Sequence, residues 1–117
     1  MVKQVGLDRS ELEKSLRALL HCFKAANPEV SARIILLLLE NEKGITVSEI
    51  KDKVNVSYAM ALRIISELES LGIVETDRVK VVKGRGRARK LARLSKEGIV
   101  RLAKQCIELL EPLTKIQ

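Results

Sequence analysis

The stretch that most constrains this chain runs from Thr46 to Gly72, TVSEIKDKVNVSYAMALRIISELESLG. Thr46 and Glu49 have the spacing of a capping box, in which two side chains satisfy backbone N–H groups of the first turn. They predict a short helix over 46–54, with Val47, Ile50 and Val54 turned inward. Asn55 suits a turn, where its amide can bond local backbone, and Val56 packs that turn into the core. Ser57 can cap a second helix over 57–71. Its Ala61, Ile64, Ile65, Leu68 and Leu71 recur at helical spacing. Gly72 supplies the left-handed residue that stops it.

Directly behind follows IVETDRVKVVKGRGRARKLARLS. Over 73–94 it reads as two strands around a glycine- and arginine-rich loop. Val79, Val81 and Val82 fit the first strand, and Leu91, Ala92 and Leu94 the second. Residues 83–87 form the tip. A helix-turn-helix followed by a basic hairpin makes a winged helix. The expected fold is therefore mainly α with a small β-hairpin, flanked by further helices.

The flanks read clearly. Asp8 with Glu11 matches another capping box, and Leu12, Leu16, Leu19, Leu20 and Phe23 mark one face of a helix over 9–26. Asn27 can cap a helix over 28–42, with Pro28 at its first position. The run Ile34 to Leu39 is apolar almost all round, so this helix is expected at the centre. Ser95 can cap a last helix over 96–110, which Pro112 ends or kinks. With 117 residues, no internal repeat and no linker, the chain reads as one domain.

The first and last helices carry more apolar surface than so small a domain needs to cover. Such stripes mark interfaces, and a two-fold homodimer is the simplest use of them. Its expected residues are Leu12, Leu16, Leu19, Phe23, Ile99, Leu102, Ala103, Cys106, Leu109, Leu110 and Leu113. The alternative is that both helices pack on their own domain. Cys22 and Cys106 lie on these helices. They lack metal-ligand spacing, and two reduced, buried, apolar cysteines are the plain expectation. If they met, oxidation could lock or distort the dimer.

Net charge is +7, and between Arg78 and Lys96 lie nine basic residues and no acidic one. That concentration on a hairpin beside a helix-turn-helix points to a polyanion. In such a motif the second helix enters the major groove. Its outward residues here are Ser57, Tyr58, Ala59, Leu62, Arg63 and Ser66, with Met60 at the margin. Arg63 could span guanine acceptors or hold a phosphate. Tyr58 and Ser57 are phosphate donors. Ala59, Met60 and Leu62 could touch thymine methyls, or Met60 and Leu62 could extend the core. The wing set is Arg78, Lys80, Lys83, Gly84, Arg85, Gly86, Arg87, Arg89 and Lys90. Its glycines allow close backbone approach, and its cations suit phosphates or a narrow minor groove.

Other classes find little support. GRGR lacks the spacing of a nucleotide fingerprint. The single histidine, His21, lies inside the first helix, and no catalytic constellation, metal cluster or cofactor motif is visible. No signal peptide or transmembrane run appears, which suits a cytoplasmic protein.

From about Thr46 to Gly98 the chain resembles winged-helix transcriptional regulators of the MarR- and ArsR-like group. The matching features are TVSEIKDKVNVS, the helix LRIISELESLGIV, and a basic hairpin closing with LARLSKEG. Size and layout resemble small archaeal members, including those called Lrs14-like. The resemblance implies a recognition helix opening at Ser57, a wing tip at 83–87, and Leu94 to Gly98 as the junction into a dimerising helix. It implies duplex DNA and a second copy as partners, with any small-molecule effector unspecified. The metal ligands of ArsR-like sensors have no counterpart here. Competing readings are an architectural DNA-binding protein of low sequence preference and a winged helix serving protein assembly. RNA binding has less behind it, because exposed aromatics are scarce.

Overall fold

The computed structural model describes residues 8–80 and 88–117. The architecture is mainly helical with a small antiparallel sheet. In chain order come α1 (Arg9–Cys22), α2 (Pro28–Leu39), β1 (Ile45–Thr46), α3 (Val47–Val54), α4 (Tyr58–Ser70), β2 (Val74–Lys80), β3 (Ala88–Leu94) and α5 (Lys96–Leu110). A short 3-10 helix, Glu111–Lys115, follows α5.

Local chemistry explains most helix starts. The N–H of Val30 donates to Asn27 Oδ1 at 3.4 Å, with Pro28 opening α2. Thr46 and Glu49 form the reciprocal box: Glu49 N–H donates to Thr46 Oγ1 at 3.2 Å, and Thr46 N–H to Glu49 Oε1 at 3.0 Å. Ser57 Oγ accepts from Met60 N–H, and Ser95 Oγ from Gly98 N–H, both at 3.0 Å. Each such cap contributes about 1 kcal/mol. Asp8 differs from expectation, since its side chain makes no cap hydrogen bond to α1.

Two helices are shorter than their apolar patterns suggest. α1 stops at Cys22 rather than 26, because Lys24 turns left-handed (φ 61°) and Ala25 N–H bonds back to Leu20 C=O at 3.0 Å. α2 stops at Leu39 rather than 42, where Asn41 N–H bonds to Leu38 C=O at 3.1 Å and Gly44 turns with φ 97°. Between α2 and α3, Ile45–Thr46 pairs antiparallel with Leu91–Ala92. β3 is therefore central in the order β1-β3-β2.

α2 is the hub of the core. Its Ala32, Ile34, Ile35, Leu36 and Leu38 are buried, together with Leu20 of α1, Ile50 of α3, and Ile65 and Leu68 of α4. Each fully buried Leu or Ile contributes about 1.5–3 kcal/mol. The hairpin lays its base on this core. Val74 pairs with Leu94 and Thr76 with Ala92, placing those four on one face, with Val74 and Ala92 buried.

α5 leaves the sheet under tight constraint. Ser95 N–H donates to Ile73 C=O at 2.7 Å. A Cβ at Gly98 would stand 1.8 Å from the Gly72 carbonyl oxygen, so only glycine lets α5 approach the α4–β2 junction this closely. Gly72 itself is left-handed at φ 85°. Further along, Leu102 is buried, and Ile99, Ala103 and Cys106 pack against the core. Cys106 is joined to Cys22 by a disulfide within the chain, with Cα atoms 6.2 Å apart. The expectation of two separate reduced cysteines is thereby corrected: the ends of α1 and α5 bring them together. Closing a loop over a sequence separation of 84 stabilises a fold by about 4–5 kcal/mol in the chain-entropy account.

The molecule is elongated, with a radius of gyration of 15.7 Å against roughly 13 Å for a compact chain of this length. Past Cys106, α5 runs beyond its cover. Leu109, Leu110 and Leu113 are 63%, 50% and 60% exposed.

Candidate nucleic-acid interface

α4 divides into two chemically distinct halves. From Ser57 to Ser66 it holds no acidic residue, and Arg63 is its one permanent charge. Tyr58, Ala59, Arg63 and Ser66 point outward, while Ala61, Ile64 and Ile65 face the core. Met60 and Leu62 are half-buried and packed against the core, which reduces the apolar contact they can offer a base. The positive end of the helix dipole adds to Arg63 in favouring a phosphate near the helix start.

The C-terminal half is acidic but engaged. Glu67 accepts the Ala26 backbone N–H at 3.1 Å, tying the α1–α2 turn to α4. Glu69 accepts the Thr76 hydroxyl at 2.8 Å, tying β2 to it. These carboxylates would repel phosphate, so a polyanion meets α4 best along its first turns.

The hairpin shows a similar gradient along its length. Near its base Arg93 Nη1 lies 2.8 Å from Asp77 Oδ2, and Glu75 also lies within ion-pair distance. Lys96 pairs with Glu42 at 3.2 Å. Two of the nine clustered cations are thus neutralised locally. Further out, Arg78 lies directly opposite Lys90 on one face of the β2–β3 ladder. Two like charges in register destabilise a sheet. Neither has an ion-pair partner among the described residues. This pair continues the face whose base is Val74, Thr76, Ala92 and Leu94. Arg89 is exposed on the other face and close enough to Glu49 to help hold its carboxyl ionised. The larger causes of that lowered pKa are the hydrogen bonds from the Thr46 backbone and hydroxyl.

The expected wing residues Lys83, Gly84, Arg85, Gly86 and Arg87 lie outside the described residues, as do Val81 and Val82. Lys80 closes β2 opposite Ala88. Of the residues expected at a dimer interface, Leu16, Leu19 and Leu102 are instead buried in the chain's own core. Leu12, Phe23, Ile99, Ala103 and Cys106 are half-buried against it. Only Leu109, Leu110 and Leu113 of that set are exposed. Exposed Val100 and Ile107, absent from the expected set, add apolar surface to α5. His21 is exposed on α1. Among the described residues no group of His, Cys, Asp and Glu could hold a metal ion, and no helix is long and apolar enough to cross a membrane.

Comparison with known proteins agrees with this geometry. A family model described as an HTH domain matches residues 30–87. No curated protein matches. Among solved structures, a protein from the thermoacidophilic archaeon Sulfolobus tokodaii superposes with TM-score 0.66 at 20% identity, covering 88% of this chain and 98% of that one. A possible transcriptional regulator from Methanosarcina mazei gives 0.65 at 13% identity, covering 87% and 81%. A mutant MepR from S. aureus bound to an oligodeoxyribonucleotide gives 0.54 at 14% identity, covering 92% and 78%. The chain shares the winged helix-turn-helix fold with these structures. That fold is consistent with binding DNA.

Proposed function

We propose that this protein is a homodimeric transcriptional regulator that binds duplex DNA with sequence selectivity and has no catalytic step. The observation that carries the reading is the acid-free first half of α4, with Arg63 outward, on a chain whose hairpin presents Arg78 and Lys90 with no ion-pair partner among the described residues. α4 reads the major groove, and the hairpin cations hold the adjacent backbone. The bare leucines at the end of α5 are the surface for the second copy. The two structures described as a possible transcriptional regulator and as a mutant MepR bound to an oligodeoxyribonucleotide support the same direction.

Binding measured against salt tests it, comparing duplexes selected from a genomic pool with random duplex. A specificity ratio above about 1,000 is the expected result. Arg63→Ala is expected to cost about 1–3 kcal/mol on selected sites and far less on random duplex. A ratio near 1 would transfer the protein to the architectural class. That second reading draws on one feature: Ala59, Met60 and Leu62 leave few hydrogen-bonding groups for base edges.

A further inference from the structure

α5 is fastened to the body at two points. Near its start, Gly98 lies against the Gly72 backbone and Ser95 N–H bonds Ile73. Eight residues on, about 12 Å along the axis, Cys106 is bonded to Cys22 at the end of α1. Between these points only Leu102 is buried, with Ile99 and Ala103 half-buried. Beyond Cys106 lie the exposed leucines. From Cys22 the chain turns through left-handed Lys24 to Ala26, whose N–H is held by Glu67 of α4. One covalent bond therefore sits between the surface that would meet a second copy and the turn anchored to the recognition helix.

We propose that the Cys22–Cys106 pair is a redox-controlled clamp that sets the angle of α5, and through it the spacing of the two recognition helices. This rests on the dimeric DNA-binding reading. In the oxidised form α5 is fixed at both points and the paired helices are preorganised for DNA. In the dithiol form α5 is held at its Gly98 end alone, apart from its apolar contacts, and the spacing is no longer fixed. The chemistry balances with a peroxide as oxidant. One thiolate attacks a peroxide oxygen, breaking the O–O bond and giving a sulfenic acid and a hydroxide. The second thiolate attacks that sulfur, forming the S–S bond and releasing a second hydroxide, and the protons lost by the two thiols convert both hydroxides to water. In sum, two thiols and one hydrogen peroxide give a disulfide and two waters. A small dithiol reverses it by exchange, being oxidised to its own disulfide.

The test uses the full chain in three forms: oxidised with hydrogen peroxide, reduced with dithiothreitol, and as Cys22→Ser/Cys106→Ser. Hydrogen exchange is followed over 99–110 and over α2, alongside affinity for pool-selected duplex. On reduction, exchange in α5 is expected to rise at least about tenfold beyond any rise in α2, and affinity to fall about tenfold or more. The double variant should behave as the reduced form under both conditions. Unchanged α5 exchange overturns the clamp. Equal affinity of both forms overturns its control of DNA binding. An equal rise of exchange in α5 and α2 on reduction also overturns it, since the bond would then be only a staple for the whole fold. Failure to bind duplex in either form would instead strike the DNA-binding reading, with the clamp still decided by α5 exchange.

Discussion

The start of α4 with the outer hairpin, and the end of α5, are each left incomplete by the chain's own packing, but in opposite chemistries. At the first, the uncovered groups are cationic or hydrogen-bonding: Arg63, Tyr58, Ser66, Arg78 and Lys90. At the second they are aliphatic: Ile107, Leu109, Leu110 and Leu113. Some groups elsewhere are met internally, with Arg93 on Asp77, Glu67 on Ala26, and Leu102 in the core. The two regions therefore offer a partner different chemistries. Cations in register favour a polyanion, and leucines in a stripe favour another apolar face.

The largest expected effect tests the aliphatic end. Replacing Leu109, Leu110 and Leu113 with serine should give a folded monomer by sedimentation, because these side chains contribute nothing to the core. Duplex affinity should fall by about 100-fold or more, since linking two reading heads multiplies affinity by 10²–10⁴. A variant that stays dimeric would break the contrast, and α5 would lose its assigned role.

The cationic end gives a smaller and more diagnostic change. Arg78→Ala with Lys90→Ala should weaken binding to selected and random duplex alike, roughly tenfold at moderate salt. The slope of log affinity against log salt should become shallower by about 1 for each lost phosphate contact. Folding stability should rise by about 0.2–1 kcal/mol, because a repulsive cross-strand pair is removed. Weaker binding with greater stability is the signature of a site kept at a cost to the fold. If stability fell instead, the two side chains would be structural.

How legible these regions are in the sequence follows from the range of the interactions involved. Thr46, Glu49, Ser57 and Ser95 act on backbone three residues away, so their caps and the helices they start can be read directly. Nonlocal pairings cannot. β1 is two residues long, visible only through its partners in β3, and the cysteines meet across 84 residues of sequence separation. The apolar stripes on α1 and α5 show that something must cover them. They do not show that Leu16, Leu19 and Leu102 are covered from within. The basic run likewise hides its own accounting, because Glu42, Glu75 and Asp77 neutralise Lys96 and Arg93 from outside it. The end of α1 was obscured for a local reason: Lys24, Ala25 and Ala26 are good helix formers, and no glycine flags the turn.

The smallest effect concerns an acid close to the cationic end. Glu49 is exposed, yet its carboxyl is held below the usual range, first by the Thr46 N–H and then by the Thr46 hydroxyl, with Lys53 and Arg89 adding to both. Its folded pKa is below its unfolded one. The bond therefore adds stability above the unfolded value, and that contribution fades as pH falls through it toward the lowered folded value. Thr46→Ala should cost about 1 kcal/mol at neutral pH. It should also flatten the acid limb of a stability-against-pH curve, because Glu49 then titrates nearer its ordinary value in the folded state. Affinity for duplex at neutral pH should change less than about twofold, since a single cap near the reading surface supplies no phosphate contact of its own. A large loss of binding in that variant would mean that α3 also touches the nucleic acid, and the cationic end would then extend beyond α4 and the hairpin.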